Sequence, residues 1–180
     1  MSLINELSND GYQIATTLDE LKAVNRGKLA GLLAPVAIPR VPERGDMLET
    51  ATIQALSILD KDPEGFFLMI EGSEIDWGGH ANDLRYIIEE TLDFDKAIGL
   101  VLDFAARNKE TLVIVTADHE TSGLAIMDGN FDTGMVKGEF PTGGHTGIMV
   151  PVYAFGPGAE KFTGFMDNTD IPNRIKELLK

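Results

Sequence analysis

The chain has 180 residues, 43% of them hydrophobic, which is enough for about one domain with a buried core and too apolar for a disordered chain. Its 29 acidic against 15 basic side chains give a formal net charge of −14, so binding to nucleic acid or to an anionic membrane surface is not expected. The absence of cysteine rules out disulfides, thiolate metal sites and cysteine nucleophiles, and the longest apolar runs, such as Phe66 to Ile70, fall far short of the roughly 20 residues of a membrane-spanning helix.

In chain order, the opening residues Met1-Ser2-Leu3-Ile4-Asn5-Glu6 lack the basic and apolar regions of a signal peptide. Gly11 to Thr16 reads as a short strand. Thr17-Leu18-Asp19-Glu20 then has the capping-box spacing that starts a helix, which Gly27 ends. Lys28 to Ala34 is a second run of strand length, and Pro35, Pro39 and Pro42 make the next stretch a loop. Leu48, Ala51, Thr52, Ala55 and Leu59 recur at helical spacing from about Asp46 to Leu59. Gly65 to Glu71 is a dense apolar run expected to be a buried strand, followed by a loop containing Gly78 and Gly79. A long helix comes next, with Leu84, Ile87, Ile88, Leu92, Ile98, Val101, Leu102 and Ala105 on its apolar stripe. Thr111 to Ala117 is another buried strand, and Ile148 to Phe155 resumes strand character. Asp170 as N-cap, with Pro172 in the first turn, opens a closing helix.

Buried strands alternating with amphipathic helices predict an α/β fold: a mostly parallel sheet with helices on both faces. No repeat or linker interrupts the chain, so residues 1–180 are expected to form a single α/β domain with a Gly-rich excursion at about 123–144.

The three histidines, His80, His119 and His145, all fall just after a strand or in a Gly-rich loop, where open α/β sheets build their sites. Glu71-Gly72-Ser73-Glu74-Ile75-Asp76-Trp77-Gly78-Gly79-His80 packs three carboxylates and an imidazole into a strand exit. Asp76 and His80 are four apart, a spacing that lets both grip one cation on a helical turn, although the two glycines argue against a regular turn. A solvated acidic loop would also explain that cluster taken alone. Thr116-Ala117-Asp118-His119-Glu120-Thr121 sets Asp118 beside His119, and both can face one ion only where the chain turns. Gly143-Gly144-His145-Thr146-Gly147 allows close backbone approach around His145, although a lone histidine in such a loop is most often structural or merely exposed. Taken together, His and carboxylate without thiolate form the ligand set of a hydrolytic metal centre. Such ions also supply the positive field that an anionic substrate needs on an acidic protein.

These three motifs, in order and spacing, resemble the metal-binding motifs of alkaline phosphatases, and the flanking Gly65-Phe66-Phe67-Leu68-Met69-Ile70 and Thr111-Leu112-Val113-Ile114-Val115 resemble those of bacterial members. The resemblance runs from about residue 6 to the end. It implies that Asp76, His80 and His145 match the protein ligands of one zinc, Asp118 and His119 match two ligands of a second, and Glu71 matches a ligand of a nearby magnesium. It also implies attack by a serine on a phosphomonoester, a phosphoserine intermediate, and an arginine that clamps the phosphoryl oxygens.

The serine of that family follows an aspartate, whereas Ser2, Ser8, Ser57, Ser73 and Ser122 do not, and no motif here matches the arginine. The expectation is therefore a carboxyl-terminal part of an alkaline phosphatase, incomplete as a fold and inactive or nearly so alone. The alternative is a metal-binding module or degenerate relative that turns nothing over. The resemblance further implies small phosphomonoester substrates, a homodimer or self-associating fragment, and a periplasmic or extracellular location.

Overall fold

The computed structural model describes residues 2–179. The chain divides into two compact units that interleave in sequence, one containing the residues up to Glu74 with Ile88–Leu100, the other containing Ile75–Ile87 with Val101 onward. Each unit has its own buried residues.

In the first unit, helix α1 (Leu3–Asn9) precedes strand β1 (Gln13–Ala15). The capping box forms as the sequence predicts. Thr17 accepts from the Glu20 amide at the start of α2 (Leu18–Ala23), and the Glu20 carboxylate accepts from the backbone amides of Thr16 at 2.7 Å and Thr17 at 3.2 Å. The helix ends at Ala23, before Gly27. Strand β2 (Leu29–Gly31) pairs with β1 in parallel, Ile14 opposite Ala30, and the core here contains Ala15, Leu21 and Leu56. A short helix α3 (Val41–Arg44) leads to α4 (Met47–Leu59), which matches its predicted span.

Arg44 ends α3 in a buried charge cluster. One guanidinium nitrogen reaches Glu90 at 2.5 Å and Asp93 at 3.0 Å, another donates to the Pro39 carbonyl at 2.9 Å, and Glu90 also accepts from the Val41 amide at 2.9 Å. Burial opposes the Arg44 charge, but the two carboxylates outweigh it and raise its pKa above the ordinary value. Both acids sit on the long helix α6 (Leu84–Asn108). Its buried line runs through Tyr86, Glu90, Asp93, Ala97 and Ala105, whereas Leu92 of the predicted stripe is exposed. A salt-bridged face has replaced part of the apolar one.

The second unit opens with helix α5 (Glu74–His80) and the start of α6, followed by strands β3 (Val113–Val115) and β4 (Glu120–Thr121). The excursion at 123–144 contains a hairpin, β5 (Ala125–Asn130) with β6 (Met135–Glu139), pairing antiparallel with a bulge between Ile126 and Asp128. Strand β7 (His145–Thr146) pairs antiparallel with β4, and β8 (Tyr153–Phe155) pairs antiparallel with β3. Helix α7 (Asp170–Leu178) closes the chain, with Thr169 rather than Asp170 at its N-cap.

The α/β class stands, but strand pairing departs from the expected mostly parallel sheet. Among the described residues there is one parallel pair and there are three antiparallel pairs. The predicted strand at Gly65 to Glu71 has no regular secondary structure and joins no ladder, and it alternates between half-buried Phe66, Leu68 and Ile70 and exposed Phe67 and Met69. Apolar runs report how much side-chain surface seeks cover, but not which neighbour supplies the hydrogen bonds or in which direction it runs.

Candidate metal centre

Helix α5 corrects a sequence expectation. Its two glycines argue for a loop by propensity, yet the segment is helical, and the residues packed on it leave no room for a side chain at either glycine. A Cβ on Gly79 would stand 3.0 Å from the Thr121 Cβ, and one on Gly78 would stand 3.0 Å from the Ile87 backbone nitrogen. The glycines let α5 lie against β4 and the first turn of α6. The turn they permit puts Asp76 and His80 on one face, with Asp76 Oδ2 3.4 Å from His80 Nε2.

Strand β7 brings His145 to the same place. Its Nε2 lies 3.1 Å from His80 Nε2 and 3.6 Å from Asp76 Oδ1. Donor atoms held at about 2.0 to 2.2 Å by a tetrahedral zinc are about 3.3 to 3.6 Å apart, a range that contains both Asp76–histidine separations, with the 3.1 Å between the two imidazoles just below it. The protonation pattern fits as well. His80 Nδ1 is 2.7 Å from the Gly143 carbonyl, which can only accept, so Nδ1 is engaged as a donor and Nε2, facing the carboxylate of Asp76, is the atom left to ligate a cation.

The second pair lies beside the first. Thr121 on β4 donates its hydroxyl proton to Asp76 Oδ1 at 2.5 Å and lies 3.3 Å from His119 Nδ1. With that proton committed, the Thr121 oxygen can only accept from His119 Nδ1, and His119 Nε2 lies 3.3 Å from Asp118 Oδ2. The His119 ring stacks on His145 with centroids 3.6 Å apart, and the His80 ring lies 4.9 Å from that of His145. Asp118 and His119 thus offer two donor atoms around a second position, next to but separate from the Asp76, His80 and His145 group.

Glu71 lies at the end of the irregular segment 65–71 in the first unit and is exposed. The sequence reading gave Thr121 and Glu120 no individual role. Thr121 orients both Asp76 and His119. Glu120 accepts from the amides of Gly123 at 2.7 Å and Leu124 at 3.3 Å and from the Thr146 hydroxyl, so its carboxylate is spent on holding the turn after β4. Only the register of β4 on β7, Thr121 opposite His145, makes Thr121 legible.

Comparisons with known proteins point to one family. The profile of the alkaline phosphatase family matches residues 1–139. Alkaline phosphatase H of Pseudomonas aeruginosa is 34% identical over 94% of this chain and 45% of its own length, and alkaline phosphatase 3 of Bacillus subtilis is 29% identical over 99% of this chain and 54% of its own length. The solved alkaline phosphatase of the Antarctic bacterium TAB5 superposes with a TM-score of 0.89 at 40% identity, covering 99% of this chain and 55% of that one. A variant of that enzyme with magnesium bound superposes with a TM-score of 0.88. The chain spans about half the length of the curated relatives it matches. It belongs to the alkaline phosphatase family.

Proposed function

We propose that the chain is the carboxyl-terminal part of a metal-dependent phosphomonoester hydrolase and contributes most of the protein ligands of its metal centre. The observation that carries this reading is the convergence of donor atoms from Asp76, His80 and His145, all within 4.8 Å of one another. In this reading those three side chains hold one zinc, Asp118 and His119 contribute to a second, and Glu71 contributes to a magnesium site. Divalent cations bound there supply positive charge and Lewis acidity toward a phosphoryl group that the acidic surface would otherwise repel.

The chain's own residues prepare that chemistry by position. The Gly143 carbonyl keeps the His80 proton on Nδ1, so Nε2 is free to ligate without prior reorganisation. Thr121 fixes the Asp76 carboxylate and the His119 ring through one hydroxyl. Ser122, the serine nearest these groups in sequence, is fully buried with a backbone φ of 83°, so its hydroxyl is not presented to a substrate. The nucleophilic serine and the phosphoryl-clamping arginine are assigned to the part of the parent that this chain does not cover. In the same proposal the parent is exported and the isolated chain self-associates.

The test is a calorimetric zinc titration of chelator-treated chain, run beside turnover of p-nitrophenyl phosphate at alkaline pH with zinc and magnesium present. We expect zinc binding in the micromolar range or tighter, lost in the His80→Ala, His145→Ala double variant, and no appreciable turnover by the chain alone. A full-length protein carrying the matching upstream segment should turn the substrate over and lose that activity with the same double substitution. Absent zinc binding would overturn the metal-centre reading, and enzyme-like turnover by the chain alone would overturn the upstream placement of the nucleophile.

A further inference from the structure

We propose that Asn82 is a positioning residue of the metal centre, coupling the helix that carries His80 to the loop that carries His145. This rests on the reading of Asp76, His80 and His145 as a zinc site.

Asn82 follows the end of α5 in the left-handed region, with φ of 51°. Its amide nitrogen bonds the Gly79 carbonyl at 2.9 Å, and that of Asp83 bonds the Gly78 carbonyl at 3.1 Å. This is the Schellman arrangement, in which glycine and asparagine are the favoured left-handed residues. Asp83 then caps α6 by accepting from the Tyr86 amide at 3.1 Å. Helix termination accounts for an asparagine or a glycine at this position, but it does not require a side-chain amide.

That amide has partners of its own. In the orientation its neighbours require, Nδ2 donates to the Gly79 carbonyl at 3.0 Å and to the Thr142 carbonyl at 2.8 Å. Gly79 immediately precedes His80. Thr142 precedes Gly143, whose carbonyl holds His80 Nδ1, and His145 follows on β7. The far side of this loop is fixed separately, with the Ser122 amide bonding the Gly144 carbonyl at 2.9 Å. Both donors of one side chain therefore tie the backbone beside one imidazole to the backbone beside the other. The 3.1 Å approach of the two Nε2 atoms depends on that registration as well as on the His80–Gly143 bond.

The experiment uses two variants of the full chain that keep the left-handed backbone while removing the donors: Asn82→Gly, and Asn82→Asp, which keeps the shape and sets a carboxylate against two carbonyls. Zinc affinity is measured by chelator competition, the unfolding midpoint is measured on metal-free protein, and the His80 tautomer in metal-free protein is read from ring-nitrogen NMR. We expect about tenfold weaker zinc binding in both variants, the lower end of what supporting residues contribute to metal sites. We also expect a loss of affinity larger than any fall in the midpoint accounts for, and a smaller share of the Nδ1-protonated tautomer at His80. Unchanged affinity in both variants, or affinity that falls only in step with the midpoint, would overturn the proposal and leave Asn82 as a helix terminator. No zinc binding by the parent chain, or binding that survives His80→Ala with His145→Ala, would remove the metal-centre reading itself and the proposal with it.

Discussion

Two charge clusters in this molecule have opposite construction. Around Arg44, cation and anions are both supplied by the chain, the side chains are 2–3% exposed, and both acids have a donor facing them. Around His80, the donor atoms of Asp76, His80 and His145 gather in a partly exposed site. Burial explains the first, because carboxylates out of water must be matched within the fold. Exposure allows the second, because partly solvated carboxylate and imidazole groups need not be matched within the fold. A self-matched cluster stabilises the fold, whereas an unmatched one is available to bind.

The largest expected effect breaks the self-matched side. Arg44→Met leaves Glu90 and Asp93 buried without their cation and should cost about 3–5 kcal/mol, read as a lower urea midpoint, with little change in zinc affinity. The reverse dissociation is expected at the other cluster. Zinc at a hundred times its dissociation constant should stabilise the parent chain by about 2.7 kcal/mol, and the gain should vanish in the His80→Ala, His145→Ala variant, whose metal-free stability stays within about 0.5 kcal/mol of the parent. Differential scanning calorimetry with and without metal measures both terms.

A smaller effect tests whether the exposed cluster depends on close packing beneath it. Gly79→Ala forces a methyl group to within 3.1 Å of the Thr121 carbonyl oxygen. Overpacking of this kind costs about 1–3 kcal/mol, and here it should also weaken zinc binding, because Thr121 orients Asp76. Unaltered zinc affinity in that variant would separate the packing of α5 from the geometry of the site.

The smallest effect concerns Glu20, a carboxylate that is paired yet fully exposed. The backbone amide of Thr16, then its hydroxyl, hold the Glu20 pKa below its ordinary value. A depressed folded-state pKa stabilises the fold above the unfolded carboxylate value, and that contribution is lost as pH falls through the folded value. Glu20→Gln should therefore flatten the acid limb of a stability–pH profile and leave the profile near neutrality parallel to that of the parent.

Local signals were the legible part of the fold. The Thr17 to Glu20 capping box and the spacing of α4 specify themselves within a few residues, and those elements formed where expected. Ladders were not legible in this way, because β3 finds its partner in β8 across the whole hairpin excursion, and no residue of Val113–Val115 encodes that choice. At the site, residue types and their placement after strands suggested metal chemistry, and the alkaline phosphatase resemblance supplied the assignment to individual ions. The glycines of α5 were misread for a physical reason: propensity treats glycine as a helix breaker, whereas here the packing of Thr121 and Ile87 demands it. Thr121 and Asn82 were missed because their contacts reach across the fold.

The hairpin of β5 and β6 has a consequence for how this family can diversify. It leaves the fold just after β4 and returns just before β7, so its entry and exit are held by the pairing that places Thr121 opposite His145. Its tip is fully exposed around Phe131. Lengthening a loop costs only about 0.6 kcal/mol per doubling. A peptide, or a whole foreign module, spliced in at residues 131–134 should thus be carried at modest cost, beside the metal ligands in sequence yet uncoupled from their geometry. Evolution and protein engineering both have an insertion port there.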